Sequence, residues 1–108
     1  MDEPAGRAKV LAQIAVCRDA IDAIDAQLVE LLSSRAQNVV EIGRLKGFLQ
    51  MEIYQPAREE AVLRHVRSVN PGPLDGDAMA RLFERIIDEA RRLERIADAE
   101  QEAQSGDR

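Results

Sequence analysis

No proline interrupts the chain between Pro4 and Pro56, and the only glycines in that stretch are Gly6, Gly43 and Gly47. Read in sevens, one seam carries Ile14, Ile21, Leu28, Arg35, Ile42 and Leu49, and its companion carries Cys17, Ile24, Leu31, Asn38 and Leu45. A repeat sustained that long predicts one helix from about Ala5 to Phe48 with coiled-coil-like packing. At ~1.5 Å of rise per residue it is about 65 Å long. Sixty further residues cannot cover such a stripe, so the helix needs a partner, and a second copy of the chain is the simplest.

The rest of the chain reads as two shorter helices. The segment Gly47 to Tyr54 breaks the period and reads as a loop. Pro56 suits a first helical position, and Val62, Leu63, Val66 and Val69 give the second helix an apolar face. Asn70-Pro71-Gly72-Pro73 is a stop and turn. A third helix begins near Asp75 to Asp77, where acidic side chains suit a helix N-terminus. Its stripe is Met79, Leu82, Phe83, Ile86, Ile87, Ala90, Leu93 and Ala97. The expected architecture is all-α, three helices with a very long first one, in a single domain over residues 1–108. The ordered part is expected at about 5–99, with a polar, frayed tail over 100–108.

Composition narrows the chemistry. Aromatic residues are 3% of the chain and Thr is absent, a poor inventory for a β-sandwich or barrel. The net charge of −5 disfavours general binding to nucleic acid or to an anionic membrane, so any anion site must be built locally. A lone Cys17 excludes an intrachain disulfide, and Cys17 with His65 is too little for a metal cluster. No apolar run approaches a membrane span and the N-terminus lacks an apolar signal region, which gives a cytoplasmic expectation.

Arg35 is the anomaly, a cation on the apolar seam with Asn38 one turn later. Such a residue can serve helix register or oligomer choice, or it can mark a cavity that holds an anion. Arg35 and Lys46 lie eleven residues apart, three turns, and so point the same way along ~16 Å of axis. Arg58, just inside the second helix, joins them if that helix folds back. Arg18 is ~25 Å from Arg35 along the same helix and reaches the same small site only from a crossed partner. Cys17 reads as core, His65 as surface and Tyr54 as loop packing. Arg91, Arg92 and Arg95, interleaved with acids, read as a solvated face.

Arg18, Arg35, Lys46 and the run Tyr54-Gln55-Pro56-Ala57-Arg58-Glu59 together resemble the all-helical (type II) chorismate mutases. Ile42-Gly43-Arg44-Leu45-Lys46, Asn70-Pro71-Gly72-Pro73 and Leu82-Phe83-Glu84-Arg85-Ile86-Ile87 fit as well, and the resemblance spans about Ala15 to Arg95. It implies an intertwined, domain-swapped helical homodimer with two equivalent sites. The implied reaction is the Claisen rearrangement of chorismate to prephenate in aromatic amino-acid biosynthesis, with no cofactor, metal or covalent intermediate. By the same resemblance, Arg35 of one protomer and Arg18 of the other hold the two carboxylates, with Arg18 on the enolpyruvyl group. Lys46 contacts the ether oxygen, Arg58 supports the carboxylate grip, and Glu59 accepts a hydrogen bond from the ring hydroxyl.

Two positions, Gln55 and Ala90, depart from the family pattern, and Glu94 fits it, where Gln or Glu is found. Gln55 stands where Asp is frequent, though by the resemblance the hydroxyl uses the backbone N–H there. Ala90 replaces a frequent Ser and removes a hydroxyl contact. Glu94 faces the ether oxygen opposite Lys46, where a donor is wanted; a carboxylate donates only when protonated, and the sequence leaves its protonation state open. The alternative is that Glu94 turns outward to pair with Arg91 or Arg95.

The physics is coherent without the family name. A pericyclic step needs no nucleophile; it needs the compact conformer of the substrate and stabilised charge on the departing oxygen. Two enzyme alternatives fit the same residues, an isochorismate pyruvate lyase and a 4-amino-4-deoxychorismate mutase. A third alternative is a non-catalytic helical dimerisation or regulatory module. A partner enzyme of the shikimate pathway and feedback by Phe, Tyr or Trp are left open by the sequence.

Overall fold

The computed structural model describes residues 3–106, with side chains described for 5–104. The chain is all-helical: α1 covers Glu3–Leu49, α2 covers Pro56–Val69 and α3 covers Gly76–Gly106. The helix expected from Ala5 to Phe48 is present with ends one or two residues longer. At the other end α3 continues through the segment expected to fray from Glu100 and reaches Gly106. Ala99, Glu100, Gln101, Glu102, Ala103 and Gln104 are all good helix formers, and no Gly or Pro stops the run. The last two residues of the expected tail lie outside the described residues.

By its contacts the chain divides into a stretch up to Arg35 and a unit from Ala36 onward. In the first stretch every residue from Arg7 to Ser34 is exposed. The seam residues Ile21 and Leu28 keep 53% and 50% of their surface in solvent. Cys17 is exposed too, against the expectation that it is core. The reason is that nothing among the described residues covers this seam.

The second unit holds the buried residues Val39, Val66, Ala80, Ile87 and Ala97. Here α2 packs on α3. Val62, Leu63 and Val66 turn inward from α2 as expected, whereas Val69, in the last turn, is exposed. On α3 the inward positions Ala80, Phe83, Ile87, Ala90, Glu94 and Ala97 follow alternating spacings of three and four, the seam of a helix packed along its length. Leu82, expected in the stripe, falls off that seam and is exposed.

The connections are held by local polar groups. At the end of α1 the Met51 N–H donates to the Lys46 carbonyl at 3.0 Å and the Gln50 N–H donates to the Gly47 carbonyl at 3.3 Å. With Gln50 at φ 56° this is a Schellman termination. Pro56 opens α2 and needs no N–H there, while the Arg58 and Glu59 N–H groups both reach the Gln55 carbonyl at 3.1 Å. Between α2 and α3, Asn70 Oδ1 accepts from the Gly72 N–H at 3.0 Å and Asn70 Nδ2 donates to the Leu74 carbonyl at 2.7 Å. Asp75 then caps α3, its Oδ1 accepting from the Ala78 N–H at 2.7 Å. No helix among the described residues is long and apolar enough to cross a membrane.

Candidate active site

Lys46 stands in the last turn of α1, where a cation complements the helix dipole. The Schellman turn sends the chain back over it, so that Lys46 Nζ donates to the Ile53 carbonyl at 3.1 Å. It also donates to Glu94 Oε2 at 2.8 Å, across from α1 to α3. Both side chains are largely withdrawn from water, at 11% and 13% exposure. Glu94 therefore faces inward and does not pair outward with Arg91 or Arg95. Two acceptors take two of the three N–H groups of an ammonium, which leaves one for a further oxygen.

Gly43 sets how closely the two helices approach at this level. A Cβ there would stand 2.9 Å from both the Cα and the carbonyl oxygen of Glu94, and 3.1 Å from Ala97 Cβ. One turn on, a Cβ at Gly47 would meet Asp98 Oδ1 at 2.7 Å. The two glycines let the α1 backbone lie directly on α3 beside the Lys46–Glu94 pair. Gly43→Ala should force α1 off α3 and cost about 1–3 kcal/mol, the range of an overpacked core. Chemical denaturation checks this, and an unchanged midpoint would show that the helices separate freely here.

The other residues singled out in the sequence lie on all three helices and at the start of α2. Gln55 is the residue before α2, Arg58 is exposed in its first turn, and Glu59 is half-buried beside it. Ala90 is half-buried one turn before Glu94 on the inward seam of α3. Arg35, half-buried, and Arg18, exposed, belong to the first stretch of α1. His65 is exposed on α2, as expected.

Arg91 corrects one expectation. The sequence groups it with Arg92 and Arg95 as a solvated face, and those two are indeed exposed. Arg91 instead turns to α2, where Nη2 stands 2.8 Å from each carboxylate oxygen of Glu59 and Nε stands 3.2 Å from Oε2. Its Cζ lies 5.1 Å from the centroid of the Tyr54 ring. The hydrogen bond to Glu59 is the main reason its guanidinium is held above its ordinary pKa. The sequence signal for this is its spacing: Arg91 follows Ile87 by four and precedes Glu94 by three, on the flank of the inward seam.

The sequence description of chorismate mutase type II matches residues 17–95. The chain belongs to the type II chorismate mutase family. It is 46% identical over 78 residues to a bifunctional chorismate mutase/prephenate dehydratase of Neisseria gonorrhoeae, covering 72% of this chain and 21% of that protein. A protein of the same description from Pseudomonas aeruginosa is 38% identical over 87 residues, covering 76% of this chain and 24% of the relative. This chain thus spans about a fifth to a quarter of the length of those curated relatives. Among solved structures, a chorismate mutase of Thermus thermophilus (form II) superposes with a TM-score of 0.75 at 35% identity. That match covers 77% of this chain and 94% of the other. The form I structure of the same description gives 0.70 at 35% identity, with 72% and 98% covered.

Proposed function

We propose that this chain is a chorismate mutase, an isomerase that rearranges chorismate to prephenate in the cytoplasm without a cofactor. The observation that carries the reading is the Lys46 ammonium, held between the Ile53 carbonyl and Glu94 with an N–H to spare, in a chain of this family. The breaking ether bond puts negative charge on its oxygen, and a preorganised ammonium in a water-poor position stabilises that charge. By the family's pattern Glu94 stands across the same oxygen from Lys46, and its carboxylate, accepting from Lys46, holds the ammonium in place.

The other roles follow the family by position. Arg35 and Arg58 grip carboxylate, Glu59 accepts from the ring hydroxyl, and the Gln55 backbone N–H serves the same group. Ala90 offers no hydroxyl and only lines the site. The working unit in this proposal is a homodimer in which Arg18 of the partner subunit completes the carboxylate clamp. Bidentate guanidinium pairing suits both carboxylates and fixes the compact conformer. The exposed seam of Ile21, Leu28 and their neighbours supports a second copy as its cover. A shikimate-pathway enzyme as a further partner is supported by the double naming of the Neisseria and Pseudomonas relatives.

The direct test is purified protein with chorismate, followed by loss of chorismate absorbance and appearance of prephenate. No turnover by folded protein would sink the reading, and release of pyruvate from isochorismate would replace it with a lyase. The dimer has its own test. Melting temperature is expected to rise with protein concentration because folding and association are coupled. A compact monomer in sedimentation at micromolar concentration would overturn the dimer.

A further inference from the structure

Arg91 ties together three pieces of the second unit. It holds the Glu59 carboxylate of α2 through both oxygens, lies over the Tyr54 ring of the α1–α2 loop, and projects from α3 one turn before Glu94. It also approaches Asp88, whose Oδ1 is 3.6 Å from Nη1 and whose side chain is mostly in water. Arg91 and Glu59 are themselves only 24% and 25% exposed.

A Glu side chain on a helix has three rotatable bonds, and a fork of N–H groups on both oxygens removes most of that freedom. An ionised carboxylate has about four acceptor positions, so the three contacts with Arg91 leave room for a substrate donor. The fork also changes what kind of donor is rewarded. A hydroxyl asks only for an acceptor. An ammonium asks for uncompensated negative charge, because it must be repaid for losing its water. With a guanidinium already on Glu59, an ammonium at the same place meets a neutralised pair and a nearby like charge.

Resting on the chorismate mutase reading, we infer that Arg91 is a positioning and specificity-determining residue: it orients Glu59 and neutralises it, so that the site selects a ring hydroxyl over a ring amine. This separates chorismate from its analogue with an amine in place of the hydroxyl, a distinction that Glu59 by itself does not make.

The test is kcat/KM on both substrates for the wild type, Arg91→Gln, Arg91→Lys and Glu59→Gln. Arg91→Gln is expected to lower the value for chorismate and to raise the amine-to-hydroxyl ratio, each on the order of tenfold. Arg91→Lys retains the charge and should keep the ratio within about twofold of wild type while losing rate through the lost fork. Glu59→Gln leaves the guanidinium uncompensated and should move the ratio the opposite way, a readout that stands even where Arg91→Gln folds poorly. A wild type active on chorismate whose ratio is unmoved by Arg91→Gln, or by Glu59→Gln where that variant alone is assayable, overturns the inference by itself. A folded wild type inactive on chorismate overturns the functional reading, and the inference falls with it.

Discussion

Lys46→Met is expected to lower kcat/KM for chorismate by on the order of a hundred- to a thousandfold, the usual cost of removing one preorganised donor from a developing oxyanion. Methionine keeps the length of the side chain and removes the ammonium. It also strands the Glu94 carboxylate, which is 13% exposed and paired at 2.8 Å with Lys46. Breaking one side of a buried pair costs about 3–5 kcal/mol of stability, so a loss of activity in this variant alone is ambiguous. Lys46→Met combined with Glu94→Gln resolves it. The double variant removes the stranded charge and should regain stability without regaining activity. If it recovers both, the ammonium is structural and not catalytic.

Glu94→Gln by itself reads the other half of the pair. A carboxylate only accepts, whereas an amide also donates, so Glu94→Gln is expected to keep or raise kcat/KM for chorismate by offering the ether oxygen a second donor. Glu94→Ala, which offers no donor, should lower it. An equal loss in the two variants would remove Glu94 from the reaction and leave it as the counter-ion of Lys46.

Arg18→Ala and Arg35→Ala homodimers are each expected to be nearly inactive, because every site loses one carboxylate clamp. Unfolded together and refolded, about half of the dimers are mixed, and each mixed dimer has one site with both arginines and one with neither. Random remixing should therefore restore on the order of a quarter of wild-type activity. If both variants remain dimeric and remixing restores nothing, the site is not shared between two chains.

The architecture is legible in the sequence because its signals are local. Helix periodicity, the proline-free run and the turn residues act over a few residues, and they place α1, α2 and α3 nearly where they lie. Pro56 and Asp75 mark helix starts by chemistry that needs no tertiary partner. The extension of α3 to Gly106 escapes a reading that equates polarity with fraying, although the residues from Glu100 to Gln104 favour helix. The exposure of Cys17 escapes it too, because a seam predicts burial without naming what covers it.

The order Arg18, Arg35, Lys46, Arg58, Glu59 likewise stands in the sequence, since fixed spacing on helices and at a helix start is a one-dimensional property. The inward direction of Glu94 is not written there, since a turn outward to Arg91 or Arg95 fits the same residues, and the structure decides it. Nor is it written which groups meet. Glu94 finds Lys46 forty-eight residues away because Gly43 lets two backbones touch, and Arg91 finds Glu59 thirty-two residues away because α2 packs on α3 at one register. Those distances depend on the depth and register of packing between helices. That is set by the shapes of many side chains together, and no periodicity within a single helix carries it.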